Sequence, residues 1–288
     1  MQFWQAISYA PPDQLIELAR TAEAAGFTGV AIPDHIVTPV RIESRYPYTP
    51  DGEILWDPSA PYPEPWILAA VLSQATRSLR FMTYVYILPL RDPFSAARSI
   101  ATAAIWTGNR IVVGVGAGWM ADEFRVIGKS FSDRGRRMDD MLVVIRKLLA
   151  GGAVEHHSEF FDFEPVQLAP VPQAPVPIWV GGHSNTALYR AARSEGWVGV
   201  NYDESDIPAH LQRLADARRR SDPVASDFAI TLALNGVPDA ALCRRLEDLG
   251  VTGVIVPSWL ALGEEPSSLE HKQAGMRRLG EGVISLWR

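Results

Sequence analysis

The sequence predicts a single (β/α)8 barrel, a TIM barrel in α/β class, on three observations. Short apolar runs alternate with stretches of helical periodicity from one end of the chain to the other. The strand candidates are apolar throughout, as parallel strands covered on both faces must be. The alternation repeats eight times, the number that closes a barrel. A chain of 288 residues fits one such domain over 1–288. A doubly wound sheet is the structural alternative.

Residues 3–8 form the first strand. Pro11, Pro12 and Asp13 then open a helix whose Leu15, Leu18, Ala19 and Ala22 recur at helical spacing until Gly26. The second strand, 29–32, ends in Pro33, Asp34 and His35. Residues 37–63 lose the helical pattern, and their Tyr46, Tyr48, Trp56 and Tyr62 suit either a lid over a pocket or a contact between subunits. Helix 65–75, strand 79–85 and helix 93–107 continue the alternation. The fourth strand, 111–115, runs into Gly114, Gly116 and Gly118, followed by Trp119, Asp122 and Glu123. A strand end that sheds its side chains either lets backbone approach a flat anionic ligand or makes a tight turn around a packed tryptophan.

Helix 133–149 is strongly periodic (Met138, Met141, Leu142, Ile145, Leu148) and stops at Gly151 and Gly152. Residues 154–168 alternate and carry Phe160, Phe161 and Phe163, a small β excursion leading to the proline-rich connector 170–177. No second core accompanies it, so it is an insertion before strand five; the others follow strands two and four. Strand 178–180, helix 185–194, strand 197–200, helix 207–220, strand 228–234, helix 238–249, strand 251–256 and helix 269–287 complete the count.

Composition excludes several classes. A net charge of −6, with Arg218, Arg219 and Arg220 as the one basic run, argues against nucleic acid. The single cysteine, Cys243, lies in a helical pattern as a packing residue and allows no internal disulfide. No basic leader and no run of eighteen apolar residues occurs, so the expectation is a cytoplasmic protein with no membrane partner.

Barrel chemistry sits at the carboxyl ends of the strands. Those ends supply Asp34 and His35, Thr83 to Leu88, Gly116 to Glu123, Gly181 to Ser184, Asn201 to Asp203, and Ser258 with Trp259. Metal ligation is disfavoured: Asp34 and His35 are adjacent, and no H-x-H or H-E-x-x-H spacing occurs. A serine nucleophile lacks its G-x-S-x-G elbow. Gly114 to Gly118 spells G-x-G-x-G with no acid about twenty residues on, against a dinucleotide fold. Gly181, Gly182 and Ser184 stand between a strand and a helix start, where free N–H groups either receive a phosphate or are simply capped.

Asp34-His35, the Leu88-Pro-Leu-Arg-Asp-Pro93 turn, Gly114-Val-Gly-Ala-Gly-Trp119 with Glu123-Phe124, Arg134-Gly-Arg-Arg-Met-Asp139, Glu159-Phe-Phe161 and Pro177-Ile-Trp-Val-Gly-Gly182 occur in one order. Together they resemble the bacterial luciferase-like flavin and deazaflavin oxidoreductases, especially the branch using coenzyme F420. The resemblance covers nearly the whole chain.

It implies a tricyclic ring at the barrel mouth and hydride transfer between the deazaflavin and a small organic substrate. By position, Asp34 and His35 edge the ring, His35 being the candidate acid or base, or else a satisfied histidine under the long loop. Thr83, Tyr84 and Val85 lie under the ring, with a non-prolyl cis peptide placed at Tyr84–Val85. Gly118, Trp119 and Asp122 contact the adjoining tail; Trp179, Val180, Gly181, Gly182, His183 and Ser184 cradle the phosphate; Val200 and Asn201 join the cofactor set.

Two departures matter. F420-dependent sugar-phosphate dehydrogenases place a glutamate on strand one, where this chain's first acid is Asp13, and a lysine after strand six, where this chain has Asp203. A phosphorylated sugar is therefore disfavoured. Within the family the alternative is an FMN-dependent monooxygenase, in which the protein shields oxygen chemistry from water. A cofactor-binding barrel without turnover and a metal-dependent hydrolase are the readings from other classes. The resemblance also implies a homodimer.

Overall fold

A computed structural model of the chain describes residues 1–54, 56–221, 227–259 and 268–287. The strands of the barrel are β1 (Gln2–Ala6), β2 (Gly29–Ile32), β3 (Arg80–Thr83) continued by β4 (Tyr86–Ile87), β5 (Ile111–Gly116), β8 (Ile178–Gly181), β9 (Gly196–Tyr202), β10 (Ala229–Leu234) and β11 (Gly253–Val256). Every neighbouring pair is parallel. The barrel closes where β1 pairs with β11, Gln2 opposite Gly253, and where β3 meets β5, Phe81 opposite Ile111. β6 (Ala153–His157) and β7 (Asp162–Gln167) form the antiparallel excursion outside it.

Helices α1 (Leu15–Ala25), α2 (Pro65–Gln74), α3 (Pro93–Trp106), α5 (Arg134–Ala150), α6 (Asn185–Ala192), α7 (Ile207–Arg219), α8 (Ala240–Asp248) and α9 (Leu269–Gly282) connect the strands. The seven-residue α4 (Ala121–Ile127) was not expected from the sequence, being too short for an apolar period to register. Its end is set by Gly128 at φ +72°. The first strand lies two residues earlier at its end than expected, and the last helix stops at Gly282 before a 3-10 turn over Ile284–Trp287.

Alternation along each strand sorts the core into two layers. Trp4, Ala31, Met82, Val112, Trp179, Val198, Ala233 and Ile255, one from each strand, fill the barrel interior. Phe3, Val30, Phe81, Val113, Val180 and their neighbours pack outward against the helices. Trp4 and Trp179 meet edge-on at 6.0 Å between ring centres. Gly29 and Gly196 make this possible, since a Cβ at either would come within 2.6 Å of an indole carbon. Burial pushes the Cys243 thiol up to about 11, in keeping with a packing residue.

The expected strand 79–85 is broken. The peptide between Tyr84 and Val85 is cis, and pairing resumes at Tyr86. Val85 turns between two neighbouring strands: a Cβ on Gly116 would stand 2.6 Å from one Val85 methyl, and a Cβ on Gly181 2.8 Å from the other. Among the described residues no helix is long and apolar enough to cross a membrane, and no cluster of three potential metal ligands occurs.

Candidate functional site

The strand ends carry a wall of aromatic rings, assembled largely by the segment between β2 and α2. Trp56 stacks on Tyr9 at 5.7 Å, Tyr62 meets His35 edge-on at 5.0 Å, and Tyr46 meets Trp119 at 5.1 Å. Tyr48 reaches across to His183 at 5.3 Å, and Tyr202 stacks on His210 of α7 at 4.4 Å. One segment therefore touches residues from several different strand ends.

Two carboxylates at the start of α4 hold that segment down. Asp122 accepts from the Glu43 and Ser44 N–H groups at 3.1 and 2.9 Å and from the Ser44 hydroxyl at 2.8 Å, and Arg125 takes its other oxygen at 2.7 Å. Although burial opposes it, these bonds hold the Asp122 carboxyl below its ordinary value. Both Asp122 oxygens have partners in the protein, so its carboxylate anchors the loop. Glu123, fully buried, accepts from the Ile36 and Val37 N–H groups at 2.7 and 3.3 Å and contacts His35 Nδ1 at 2.8 Å.

Asp34 is also occupied. Arg91 grips both its oxygens at 2.8 Å, and the Ile87 N–H adds a third bond at 2.8 Å. Burial raises the Asp34 carboxyl, with Arg91 the main opposing influence. Against the burial cost, Asp34 and then Tyr86, whose ring lies 3.8 Å beneath it, hold the Arg91 guanidinium above its ordinary value. Asp34 thus locks the start of the long segment to the turn after β4. The neighbouring His35 side chain is 7% exposed, and its Nε2 has no hydrogen bond to any described residue.

The expected cofactor residues divide between the mouth and the core. Thr83 is buried and donates to the Gly114 carbonyl at 2.7 Å; Tyr84 and Val85 are half-buried beneath the aromatic wall. Gly118 has φ +83°, and its carbonyl accepts from Arg134 at 2.9 Å. The Trp179 side chain packs in the interior layer and that of Val180 in the outer layer. Gly182, at φ +104°, lends its carbonyl to the Trp197 indole at 2.8 Å, and the Ser184 hydroxyl caps α6 by accepting from Ala187 N–H at 3.2 Å. Val200 and Asn201 are half-buried at the end of β9; Asn201, at φ +53°, hydrogen-bonds the Tyr46 side chain.

Behind the α6 start, Arg213 donates to the His183 carbonyl and to Asn185, each at 2.8 Å. Burial, then Arg213, lowers the His183 imidazole; burial, His183 and Arg213 lower His210. A fixed guanidinium beside a helix start suits a bound anion. The phenols at the mouth stay protonated: burial raises Tyr9 and Tyr48 to about 12 each and Tyr84 well above its ordinary value. Trp56 Nε1, Tyr84 Oη and His183 Nδ1 are sealed from solvent with no hydrogen-bond partner among the described residues. Orphaned polar atoms spread along one aromatic wall fit a flat group that brings its own donors and acceptors.

Arg91, Glu123, Tyr9 and Arg213 escaped the sequence reading as site residues. Glu123 had a signal, being one of two adjacent acids directly after a glycine-rich strand end; Arg91 had one in the Leu88 to Pro93 turn.

The luciferase-like monooxygenase family matches residues 2–259. An uncharacterised protein of Mycobacterium tuberculosis is 37% identical over 276 residues, 94% of each chain. The F420-dependent glucose-6-phosphate dehydrogenase of Rhodococcus erythropolis is 26% identical over 243 residues, 80% of this chain and 67% of that one. Among solved structures, a monooxygenase from Streptomyces bottropensis superposes with a TM-score of 0.78 at 18% identity over all of both chains. An F420-dependent secondary alcohol dehydrogenase in complex with an F420-acetone adduct does so with 0.76 at 16% identity, over 99% of this chain and 98% of that one.

Proposed function

Because the chain belongs to the luciferase-like monooxygenase family, we propose that it is an F420-dependent oxidoreductase acting on a small, uncharged organic substrate at the aromatic mouth of the barrel. The observation that carries the reading is His35, an imidazole among aromatic rings with one nitrogen held by a buried carboxylate and the other without a bond to any described residue. The relatives named as F420-dependent dehydrogenases support a deazaflavin over FMN.

The chemistry such a group supplies is the acceptance or donation of a hydride. Tyr84 and Val85 would lie under the ring, Gly118 and Trp119 would meet the adjoining tail, and Gly182, His183 and Ser184, backed by Arg213, would hold its phosphate. His35 Nε2 would take or return the substrate's proton. The loop rings exclude water from that step. Asp203, exposed and bonded to Asn235 at 2.9 Å, offers no cation to a substrate phosphate, which supports an uncharged substrate.

Trp56 and Trp119 make tryptophan fluorescence the test. Titration with F420 is expected to quench emission in the micromolar range while FMN leaves it unchanged. Quenching by FMN alone, with oxygen consumption by the reduced protein, would instead favour an FMN-dependent monooxygenase. We further propose a homodimer through the outer face of α2 and α3, where Ile67 and Val71 stand exposed and Trp106 is 65% exposed. Trp106→Glu is expected to halve the mass found by sedimentation equilibrium; an unchanged mass argues against that face.

A further inference from the structure

We propose that Glu123 is a positioning residue that keeps His35 in the tautomer protonated at Nδ1, so that Nε2 faces the barrel mouth as a proton acceptor. This rests on the reading of His35 as the acid or base of the reaction.

Glu123 lies at no solvent-exposed point, and three groups converge on its two oxygens: the Ile36 and Val37 N–H groups on Oε1 and His35 Nδ1 on Oε2. The two backbone groups can only donate. A carboxylate can only accept, so the third bond requires a proton on Nδ1, and a neutral ring then has a bare Nε2. Residues 36 and 37 follow His35 directly, so one carboxylate fixes both the ring and the chain that carries it.

The same logic dictates what Glu123→Gln does. The amide oxygen must stay with the Ile36 and Val37 N–H groups, because an NH2 there would face two fixed donors. The NH2 is thereby turned toward Nδ1, which must accept, and the proton moves to Nε2. A nearly isosteric change thus converts the acceptor at the mouth into a donor without removing the anchor of the loop.

Long-range proton–nitrogen correlation on protein labelled with 15N-histidine reads the tautomer directly, with His35→Gln assigning its signals among the six histidines. Wild-type His35 is expected to show a protonated Nδ1 and a bare Nε2, and Glu123→Gln the reverse. With substrate and F420, the variant is expected to lose about 10³–10⁴ in kcat at little changed KM, the scale seen when a histidine base is held in the wrong tautomer. A wild-type ring protonated at Nε2 overturns the proposal whatever the activity, and so does a variant with wild-type tautomer and rate. The expected tautomers in a protein that neither binds F420 nor transfers hydride would overturn the functional reading and leave the positioning role standing. Should the variant fail to fold, the wild-type spectrum decides alone.

Discussion

Arg91→Ala is expected to lower the free energy of unfolding by about 3–5 kcal/mol, measured by urea denaturation near neutral pH. The magnitude comes from what is left behind. Asp34 is almost wholly buried, and two of its three hydrogen bonds come from the guanidinium. Without Arg91 its carboxylate is a buried charge held by one backbone N–H. The pH dependence has a definite sign. Burial raises the Asp34 carboxyl, so once Arg91 is gone its value in the folded state stands above that in the unfolded chain. The part of the deficit due to the stranded charge is then full above the folded value, shrinks as pH falls through it, and is gone below the unfolded carboxylate range near 3.9, leaving the lost packing of Arg91 on Tyr86. Adding Asp34→Ala should recover part of the loss, because it removes the stranded charge. A loss below about 1 kcal/mol in the single variant would mean that the pair behaves as a surface ion pair.

The second large effect falls on turnover. His35→Gln is expected to lower kcat by about 10²–10⁴, the usual contribution of a positioned acid or base, while quenching by F420 is retained. The side chain meets Trp56, Tyr62 and Trp119 only through ring contacts, so the wall survives its loss. Full activity in the variant would move the proton transfer to another group and leave His35 as part of the wall.

The barrel was legible because parallel strands buried on both faces read as short apolar runs, and 29–32 is a clean instance. The site was legible only as a set of strand ends. Asp34 gains a partner in Arg91, 57 residues away, that no local pattern announces. Glu123 acquires a role only through His35, 88 residues distant. The packing of Trp179 was hidden for a different reason: β8 has four residues, too few for composition to reveal which phase of its alternation faces the interior. The family resemblance supplied the place of the cis peptide, for which Tyr84 and Val85 carry no local signal of their own.

The seat of Val85 between Gly116 and Gly181 makes three strands share one volume. Positions 85, 116 and 181 are then a single unit of sequence variation. A side chain gained at either glycine is compatible with the fold where the residue at 85 has shrunk to match, so substitutions among the three combine non-additively. A homologue that exchanged one of them alone would have to reshape the floor of the barrel mouth.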